Sequence, residues 1–578
     1  GKSELVKKNA ANQTSSGLDR DYITQWSYGI DETWTLLIPN VKGGASVPLA
    51  ANETAMEKAN PEFYPIYQQI GQYWGEQPGT SGPVYVGAFV LMLFVLGLFI
   101  VKGPMKWALL AATVLSVLLS WGRNFMPFTD FFLDYVPLYA KFRTVASILV
   151  IAEFTIPLLA MMALRRIVED PQVLTRNMRW VYVSFGLTAG VALLFALMPG
   201  FFFNDFISSS ERVALGQVPD EYRHALMANL TEMRQAVMTA DCWRSFWIVT
   251  VGVVMLLLYR INKLKAAYMI AGVGVLCLVD MWQVNKRYLN DGMFVEKSVR
   301  EAPQPMSHTD QLILKDKGLD YRVLNLATNT FNENETSYYH KSIGGYHAAK
   351  LRRYQEMIEA YINPQMSRIM KAVADSDGDM TRVNGDSLFP VLNMLNTKYI
   401  IVPLQGGQTV PLLNPYAYGN AWFVDRLTFA DNANQEIERI GQIDLRHEAV
   451  ADKRFADVLG EAVAQDKNSV AKLLAYEPNQ LTYEVSSDKG GVLVFSEVYY
   501  PGWTATIDGQ PAELGRVNYI LRALRVPAGK HQVKLAFFPK SVDTTETIAY
   551  VAYVVLLLII VGGLYDTWRR KKNNQTTH

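Results

Sequence analysis

The sequence predicts a polytopic α-helical membrane bundle with a large extracytoplasmic α+β domain that ends in a β-sandwich. Seven apolar runs in the chain of 578 residues have about the length that spans a bilayer. Residues 285–546 contain no such run, although they separate the sixth run from the seventh. Short runs that alternate between apolar and polar residues fill the last part of this stretch, as antiparallel strands do.

The seven apolar runs predict about seven membrane-spanning helices, because a hydrocarbon core of about 30 Å needs roughly 17–25 apolar residues per helix. The runs are residues 84–101, 105–121, 144–164, 178–198, 244–260, 266–284 and 547–566. The second run has the shortest apolar stretch, Trp107–Leu119. A re-entrant helix at this position would change the number of crossings.

Lysine and arginine residues alternate between the loops as the positive-inside rule requires. The connections after the first, third and fifth runs are basic, and the tail contains Arg569, Arg570, Lys571 and Lys572. With seven crossings, these segments lie in the cytoplasm. The segments on the outer side are then residues 1–83, 122–143, 200–243 and 285–546.

Five segments follow from this pattern. They are an extracytoplasmic segment (1–83), a six-helix transmembrane region (84–284), an extracytoplasmic α+β domain (285–477), a β-sandwich (478–540), and a C-terminal transmembrane helix with a basic cytoplasmic tail (541–578). An outer segment of 83 residues needs a signal or a span before it, and none precedes Gly1 in this sequence. We therefore expect that an N-terminal part of the protein is missing from this chain.

Local patterns predict individual elements of the outer domain. Tyr321–Leu326 and Lys398–Val402 are predicted strands, and Ala348–Ile362 is a predicted helix. The sandwich strands are predicted at Leu481–Val485, Gly491–Ser496, Thr504–Ile507, Ile520–Val526 and Gln532–Phe538. Asp508-Gly509 and Ala528-Gly529 supply the turn chemistry between these strands.

Charge and cysteine content argue against two classes of protein. The formal net charge is +1, and no long basic run interleaves with aromatic residues, so nucleic-acid binding is not predicted. The two cysteines, Cys242 and Cys277, supply neither a disulfide framework nor a cysteine zinc site, and we interpret both as packing residues. The acidic run Asp375–Asp379 has its glycine at the wrong position for a calcium-binding EF-hand loop, so we interpret it as a solvated loop.

A group of short motifs carries a resemblance to a known family. The segment Ser496–Gly509 (SEVYYPGWTATIDG), with Arg522 and Val526–His531, resembles the C-terminal sandwich of the bacterial YfhO-like membrane protein family. Further matching segments are Tyr73–Gly75, Ser81–Pro83, Ser342–His347, Leu395–Tyr399 and Asn414–Trp422. The resemblance extends from about residue 20 to residue 565, and the order and spacing of the motifs support it more strongly than any one motif.

The resemblance implies a protein of the bacterial cytoplasmic membrane that is related to GT-C glycosyltransferases. Such enzymes take a sugar from a polyprenyl-phosphate donor and transfer it to a cell-envelope glycan or polymer on the outer or periplasmic side. The family's catalytic carboxylate is expected in the first outer loop, upstream of Gly1, so this fragment is expected to lack it. The alternative is a non-enzymatic scaffold, or a flippase-associated protein, that binds envelope polymers among the membrane lipids.

A lipid-phosphate donor needs cations at the outer membrane surface, because its phosphate is costly to desolvate without partners. Arg123, Lys141 and Arg143 supply such cations within one predicted outer loop. Arg143 directly precedes the third apolar run, so we expect it to be the most sensitive of the three. Alternatively, these cations pair with Asp130, Asp134 and lipid headgroups.

Glycosyl transfer also needs a base for the acceptor hydroxyl, and a carboxylate or a metal ion often stabilises the departing phosphate. Asp31 and Glu32, among the aromatic residues of Trp26–Trp34, are the most suggestive acids. A solvated position or a place at a helix N-terminus is the alternative. The residues predict no resident cofactor, although a divalent cation is compatible with this chemistry.

Asp280 lies inside the sixth run, where a carboxyl needs a cationic partner.

A second candidate site is the cluster of His340, Lys341, Tyr346 and His347, which surrounds two glycines ahead of a predicted helix. Glycine permits close approach of the backbone, and a helix N-terminus favours an anion, so donor or acceptor binding is predicted. A structural turn is the alternative, since the histidines lack the ligand pattern of a zinc site.

Trp503 is a candidate for stacking on a sugar, or else part of a packed corner between strands.

Overall fold

The protein is described by a computed structural model, which covers residues 3–5, 12, 14, 17–170, 172–216, 218–301, 304–347, 349–376, 385–461 and 469–575. The chain forms two compact units. We call Asn9–Glu301 the helical unit, and we call Gly1–Lys8 together with Ala302–His578 the mixed unit.

Within its described residues, the helical unit contains four helices that are long and apolar enough to cross a membrane. They are Val145–Glu169, Met178–Leu197, Asp220–Arg260 and Ala266–Met293. The mixed unit contains a fifth such helix, Lys540–Arg570. Shorter helices of the helical unit are Arg20–Ile23, Glu53–Met56, Tyr64–Tyr67, Gln172–Arg176, Pro199–Phe202, Ser209–Leu215 and Lys297–Glu301. The five long helices correspond to the third to seventh predicted spans and support a membrane protein with a helical membrane region.

The first two predicted spans differ from the others in the structure. The first forms a helix of only 13 residues, Ala88–Ile100, which is about 20 Å long at about 1.5 Å per residue. The second forms Met105–Ser120, after which the chain bends by 106° into Gly122–Tyr135. In the described part of the chain, length and composition therefore support five spans, or six if the bent pair is one span. The predicted number of seven is not confirmed.

The bend after the second run depends on Gly122. Its φ angle is +44°, in the left-handed region that L side chains rarely adopt. A Cβ atom at this position would lie 2.1 Å from the Oγ of Ser27. The next residue, Arg123, donates its backbone N–H to the same Ser27 Oγ at 2.9 Å. The bend therefore brings the chain after Gly122 directly against the segment that contains Ser27.

Packing inside the helical unit combines apolar contacts with paired charges. Ala88–Ile100 packs against Val150–Glu169 and is largely buried despite its short length. Asp280 forms an ion pair with Arg244 at 2.5 Å and accepts a hydrogen bond from Tyr85 Oη at 2.7 Å. A carboxyl in a membrane span is costly unless it is paired. The arginine of a neighbouring helix is thus the partner that the sequence predicted for Asp280.

The mixed unit contains four β-sheets within its described residues. The strands are β1 (Arg322–Asn325), β2 (Thr397–Pro403), β3 (Thr409–Leu413), β4 (Ala421–Val424), β5 (Arg426–Ala430), β6 (Glu448–Asp452), β7 (Val470–Glu477), β8 (Gln480–Ser487), β9 (Gly491–Val498), β10 (Trp503–Ile507), β11 (Gln510–Ala512), β12 (Leu514–Val517), β13 (Leu521–Val526) and β14 (Gly529–Phe537). The sheet orders are β1-β2-β3, β5-β6, β11-β10-β14-β8-β7 and β12-β13-β9-β4. The pairs β1–β2 and β5–β6 are parallel, and the others are antiparallel.

The two larger sheets share one apolar core. Leu481, Tyr483 and Leu535 belong to the five-stranded sheet, and Phe495 and Leu524 belong to the four-stranded sheet, in the same buried cluster. The five predicted strands overlap β8, β9, β10, β13 and β14. Both sheets also take a strand from before residue 478, because β7 pairs with β8 and β4 pairs with β9. The C-terminal region is therefore rich in β-sheet, as predicted.

Helices complete the mixed unit. They are His308–Ile313, Thr336–Tyr339, Arg352–Met357, Asn363–Asp375, Gly385–Leu388, Pro390–Met394, Ala433–Arg439, Ala456–Leu459 and Lys540–Gln575. A π-helical turn, Ile358–Ile362, joins the third helix to the fourth. The helix predicted at Ala348–Ile362 thus begins later and runs further than expected, and Ala348 lies outside the described residues. The side chains of the long C-terminal helix are exposed along its apolar stretch, as a helix that contacts lipid requires.

Candidate functional site

The two acids singled out from the sequence lie in a 3-10 helix of the helical unit, Asp31–Leu36. Side chains from the chain around the 106° bend hold this segment in place. Asn124 Nδ2 donates to the carbonyl oxygen of Tyr28 at 2.8 Å, and Trp121 Nε1 donates to Thr33 Oγ1 at 2.8 Å. Two distant parts of the sequence, residues 27–33 and residues 121–124, therefore form one polar region.

Glu32 is the buried acid of this region, with 2% of its surface exposed. Its Oε1 accepts hydrogen bonds from Tyr73 Oη at 2.7 Å and Gln77 Nε2 at 3.2 Å, and its Oε2 accepts one from the Gly29 N–H at 3.0 Å. No lysine or arginine of the described chain forms an ion pair with it. Burial raises the pKa of Glu32 above its ordinary value, although the hydrogen bonds oppose this effect. Such a carboxyl is suited to take up and return a proton.

Asp31 has a different environment from its neighbour. Its carboxylate is about half exposed and lies 2.6 Å from the Nζ of Lys42, whose side chain is only 8% exposed. A buried ammonium group needs an anionic partner, so Asp31 balances the charge of Lys42. The structure thus separates the two predicted catalytic acids by their surroundings. Of these two, only Glu32 is a buried carboxyl without a cationic partner among the described residues.

Arg123 is connected to this buried carboxyl through the segment Glu76–Gln77. Its Nη2 donates to the carbonyl oxygen of Glu76 and lies 3.5 Å from Glu76 Oε2. The next residue, Gln77, donates to Glu32. A guanidinium group and a buried carboxyl are therefore linked through two consecutive residues. The Arg123 side chain is 42% exposed, and a guanidinium has five N–H donors, so several remain for a ligand.

The two acids of the predicted outer loop do not pair with its cations. Arg20 binds both of them, because its Nη1 contacts Asp130 and its Nη2 contacts Asp134 at 2.6 Å. The part of the alternative in which Asp130 and Asp134 neutralise Arg123, Lys141 and Arg143 is therefore wrong, whereas pairing of these cations with lipid headgroups stays a prediction. The sequence offered no signal for Arg20, which lies more than 100 positions before its partners.

Lys141 and Arg143 remain exposed cations. Arg143 Nη1 donates to Tyr22 Oη at 2.8 Å, and its guanidinium lies 5.4 Å from the centre of that ring. Among the described residues, no carboxylate pairs with Lys141 or Arg143. The helix before them, Met126–Tyr135, exposes Phe131 and other aromatic side chains. Exposed aromatic residues beside uncompensated cations are typical of a surface that meets lipid headgroups.

The predicted cluster at 340–347 is divided in the structure of the mixed unit. His340 is buried, and its Nε2 lies 2.9 Å from Asp310 Oδ1. The other oxygen of Asp310 accepts hydrogen bonds from the backbone N–H and the Oγ of Ser307. Burial alone would raise the pKa of Asp310, but the hydrogen bonds from Ser307 and His340 outweigh it and hold this pKa below its ordinary range. His340 therefore orients a carboxylate.

Lys341 points to a different set of groups. Its Nζ forms an ion pair with Asp320 at 2.5 Å and lies over the ring of Tyr476. The other carboxylate oxygen of Asp320 accepts a hydrogen bond from Asn420 Nδ2 at 3.0 Å. This ammonium is thus already engaged by a carboxylate and an aromatic face.

The remaining predicted residues of the mixed unit lie apart from these pairs. Tyr346 and His347 are exposed, and His347 Nδ1 accepts a hydrogen bond from the N–H of Ala349 at 3.0 Å. That contact is typical of the structural turn that the sequence left as the alternative. The four residues do not form a single site, and a role for each in binding stays a prediction.

Trp503 lies at the start of β10. The guanidinium of Arg522 lies 3.9 Å from the centre of the indole, and the ring of Phe537 lies 5.3 Å from it. Two neighbours therefore already use much of the surface that a stacked sugar would need, and the packed corner is favoured. Sugar stacking on Trp503 stays a prediction.

Metal binding receives no support from the described residues, among which no three His, Cys, Asp or Glu side chains are grouped to hold an ion. Most of the acidic run Asp375–Asp379 lies outside those residues.

The sequence analysis did not single out two residues that hold the candidate acids, although each carried a sequence signal. Tyr73 is part of the Tyr73–Gly75 motif, and Ser307 precedes Asp310 by three positions, as in a capping box.

Comparison with known proteins supports the C-terminal part of the resemblance. The family model described as "Bacterial membrane protein YfhO" matches residues 443–549, which include β7 to β14 and the start of the last helix. The protein described as "Uncharacterized protein YfhO" from Bacillus subtilis (strain 168) is 24% identical over 132 residues, which are 23% of this chain. The match covers 14% of the length of that relative. No solved structure matches the chain.

Proposed function

Because the chain is a YfhO-like membrane protein, we propose that it is a membrane glycosyltransferase that uses a polyprenyl-phosphate-linked sugar to modify a cell-envelope glycan or polymer. The observation that carries the proposal is the environment of Glu32. It is a buried carboxyl without a cationic partner in the described chain, and Arg123 lies two residues away through Glu76 and Gln77. A base and a phosphate-binding cation in one polar region are what glycosyl transfer needs.

The proposed reaction is a substitution at the anomeric carbon of the donor sugar. The acceptor hydroxyl oxygen attacks this carbon, its proton moves to Glu32, and the bond to the phosphate oxygen breaks with its electron pair. The acceptor reaches Glu32 Oε1 by displacing the amide of Gln77, which is only partly buried. Arg123, Lys141 and Arg143 stabilise the negative charge that grows on the departing polyprenyl phosphate.

The proposal requires residues 1–83 and 285–546 on the outer side, with the C-terminus in the cytoplasm. The basic loops and tail support this arrangement. Five crossings and seven crossings predict the same sides for these segments, since the two short or bent runs are consecutive. Six crossings would instead put residues 1–83 on the cytoplasmic side.

Cysteine labelling tests this topology. In a background without the native cysteines, single cysteines at Val213 and Asp431 should react with an impermeant thiol reagent in intact cells, whereas cysteines at Glu169 and Arg569 should react only after permeabilisation. All four positions are exposed, so protection will report the membrane rather than the fold. Labelling of the Glu169 position in intact cells would contradict the proposed arrangement.

The transfer reaction is tested directly with membranes from cells that carry the full-length protein. We expect these membranes to move label from a radiolabelled polyprenyl-phosphate sugar to envelope polymer, and membranes without the protein to move none. The alternative function, a scaffold or flippase-associated protein, predicts polymer binding without transfer of label at any donor concentration. That result would remove the enzyme proposal.

A further inference from the structure

The mixed unit contains a cavity of about 340 Å³ to which neither the sequence motifs nor the comparisons assign a role. It opens beside His308–Ile313, β1 and the segment that follows β2. The lining residues are Gln304, Pro305, Ser307, Asp310, Asn325, Ala327, Thr328, Glu335, Thr336, Tyr339, Ile401, Pro403, Gly407, Gln408 and Thr409. Its volume is at the lower end of the roughly 300–1,000 Å³ typical of small-molecule sites.

One part of the lining is rigidly held by hydrogen bonds within the protein. Asp310 is engaged by Ser307 and His340, as described above. Asn325 Nδ2 donates to Thr336 Oγ1 at 2.9 Å, and the Asn325 Oδ1 accepts from the Ala327 N–H at 3.0 Å. The hydroxyl of Tyr339 donates to the carbonyl oxygen of Gln304. These contacts fix the shape of the cavity before any ligand arrives, which lowers the entropic cost of binding.

Another part of the lining has polar side chains whose hydrogen-bonding groups are available to a ligand. The side chains of Gln304, Thr328, Glu335 and Gln408 form no hydrogen bond or ion pair with other described residues, although all four line the cavity. Together they offer two amides, a hydroxyl and a carboxylate. Amides and hydroxyls both donate and accept, and a carboxylate accepts from two hydroxyl groups at once. This mixture matches the several hydroxyl groups of a sugar ring.

The charge of the lining limits the ligand further. Among the described residues, Asp310 and Glu335 line the cavity, whereas no lysine or arginine does. A phosphate group in this cavity would lose its hydration without gaining a cation and would meet two carboxyl groups. The cavity therefore differs in kind from the cationic surface around Arg123 and Arg143.

We propose that this cavity binds one uncharged sugar residue, held by hydrogen bonds to Glu335, Gln408, Thr328 and Gln304. Identification of this sugar as part of the glycan acceptor rests on the proposed function, whereas the binding itself does not. A site that selects an uncharged sugar in the extracytoplasmic part would let the protein recognise the acceptor separately from the phosphate-bearing donor.

The test measures binding of glucose and of glucose 6-phosphate to the detergent-solubilised full chain by saturation-transfer NMR titration. We expect glucose to bind in the millimolar range and glucose 6-phosphate to bind at least about ten-fold more weakly, because its phosphate would lie beside two carboxyl groups without a cation to pair with. Glu335→Gln combined with Gln408→Ala should weaken glucose binding about ten-fold or more. The charge-reversing Glu335→Lys should remove the discrimination against the phosphate.

Glu513→Gln is the matched control, since Glu513 is an exposed carboxylate of the same unit outside the cavity lining. Unchanged melting temperatures will show that the variants fold. The inference is overturned if glucose does not bind, if the cavity variants bind it as well as the control does, or if glucose 6-phosphate binds equally well. Normal binding by a protein that transfers no sugar would keep the inference and remove the proposed function. Normal transfer with no sugar binding would remove the inference and keep the proposed function.

Discussion

Replacement of Glu32 by glutamine is expected to reduce sugar transfer by the intact protein at least about 100-fold, the usual lower range for the loss of a general base. Glutamine keeps the size of the side chain and an oxygen that accepts from Tyr73 and Gln77, but it cannot take up the acceptor proton. Transfer of label, normalised to the amount of protein in the membrane, is the measurement.

Loss of the fold is separated from loss of the base by thermal unfolding. Since burial raises the pKa of Glu32 in the folded protein, stability falls as the pH rises from the ordinary carboxyl pKa to this raised pKa, because the unfolded chain ionises first. Glutamine removes this cost and loses about 1 kcal/mol from the Gly29 hydrogen bond. We therefore expect a melting temperature near that of the unmodified protein at neutral pH, with a flatter pH dependence above the ordinary carboxyl pKa.

Asp31→Asn is the matched control for this variant. It removes a carboxylate from the adjacent residue of the same 3-10 helix, but this carboxylate is half exposed and paired with Lys42. We expect transfer within about three-fold of normal, because this carboxylate is not the base. The melting temperature should fall, because Lys42, whose side chain is only 8% exposed, loses its anionic partner. Equal loss of transfer in both variants, or normal transfer by Glu32→Gln, would rule out Glu32 as the base.

Substitution of Arg143 by alanine is expected to abolish transfer while leaving the amount of protein in the membrane unchanged. Arg143 lies just before the long helix Val145–Glu169 in the sequence. Its guanidinium contacts Tyr22 but no carboxylate of the described chain. Two N–H groups can therefore bind one phosphate, and a bond of this kind is strong where water is partly excluded. Arg143→Lys keeps the charge but loses the paired donors, so it should be partly active.

Arg212→Ala provides the control for Arg143. Arg212 is an exposed arginine of the short helix Ser209–Leu215 in the same unit, and its ion pair with Asp205 has a length of 2.6 Å. Its loss should leave transfer within about two-fold of normal, since such exposed pairs contribute little. A structural role for Arg143 would instead deplete the alanine variant from the membrane, and normal transfer by an abundant alanine variant would end the phosphate hypothesis.

Local patterns predicted five of the seven proposed membrane helices and five strands of the C-terminal region. A long apolar run has few alternatives to a helix in lipid, so five predicted spans coincide with long apolar helices. Alternation with period two likewise predicted β8, β9, β10, β13 and β14 close to their observed ends. The family resemblance also came from local motifs, and the matched residues 443–549 contain those strands.

Tertiary structure decided which of the predicted residues share a site. Asp31 and Glu32 are equivalent in sequence, but only folding brought Lys42 to the first carboxyl and Tyr73 to the second. Asp130 is likewise close to the predicted cations in the sequence, whereas in the structure it forms an ion pair with Arg20. The physical reason is that burial and ion pairing depend on which distant segments meet, and the energy of a charge depends on those neighbours far more than on its position in the chain.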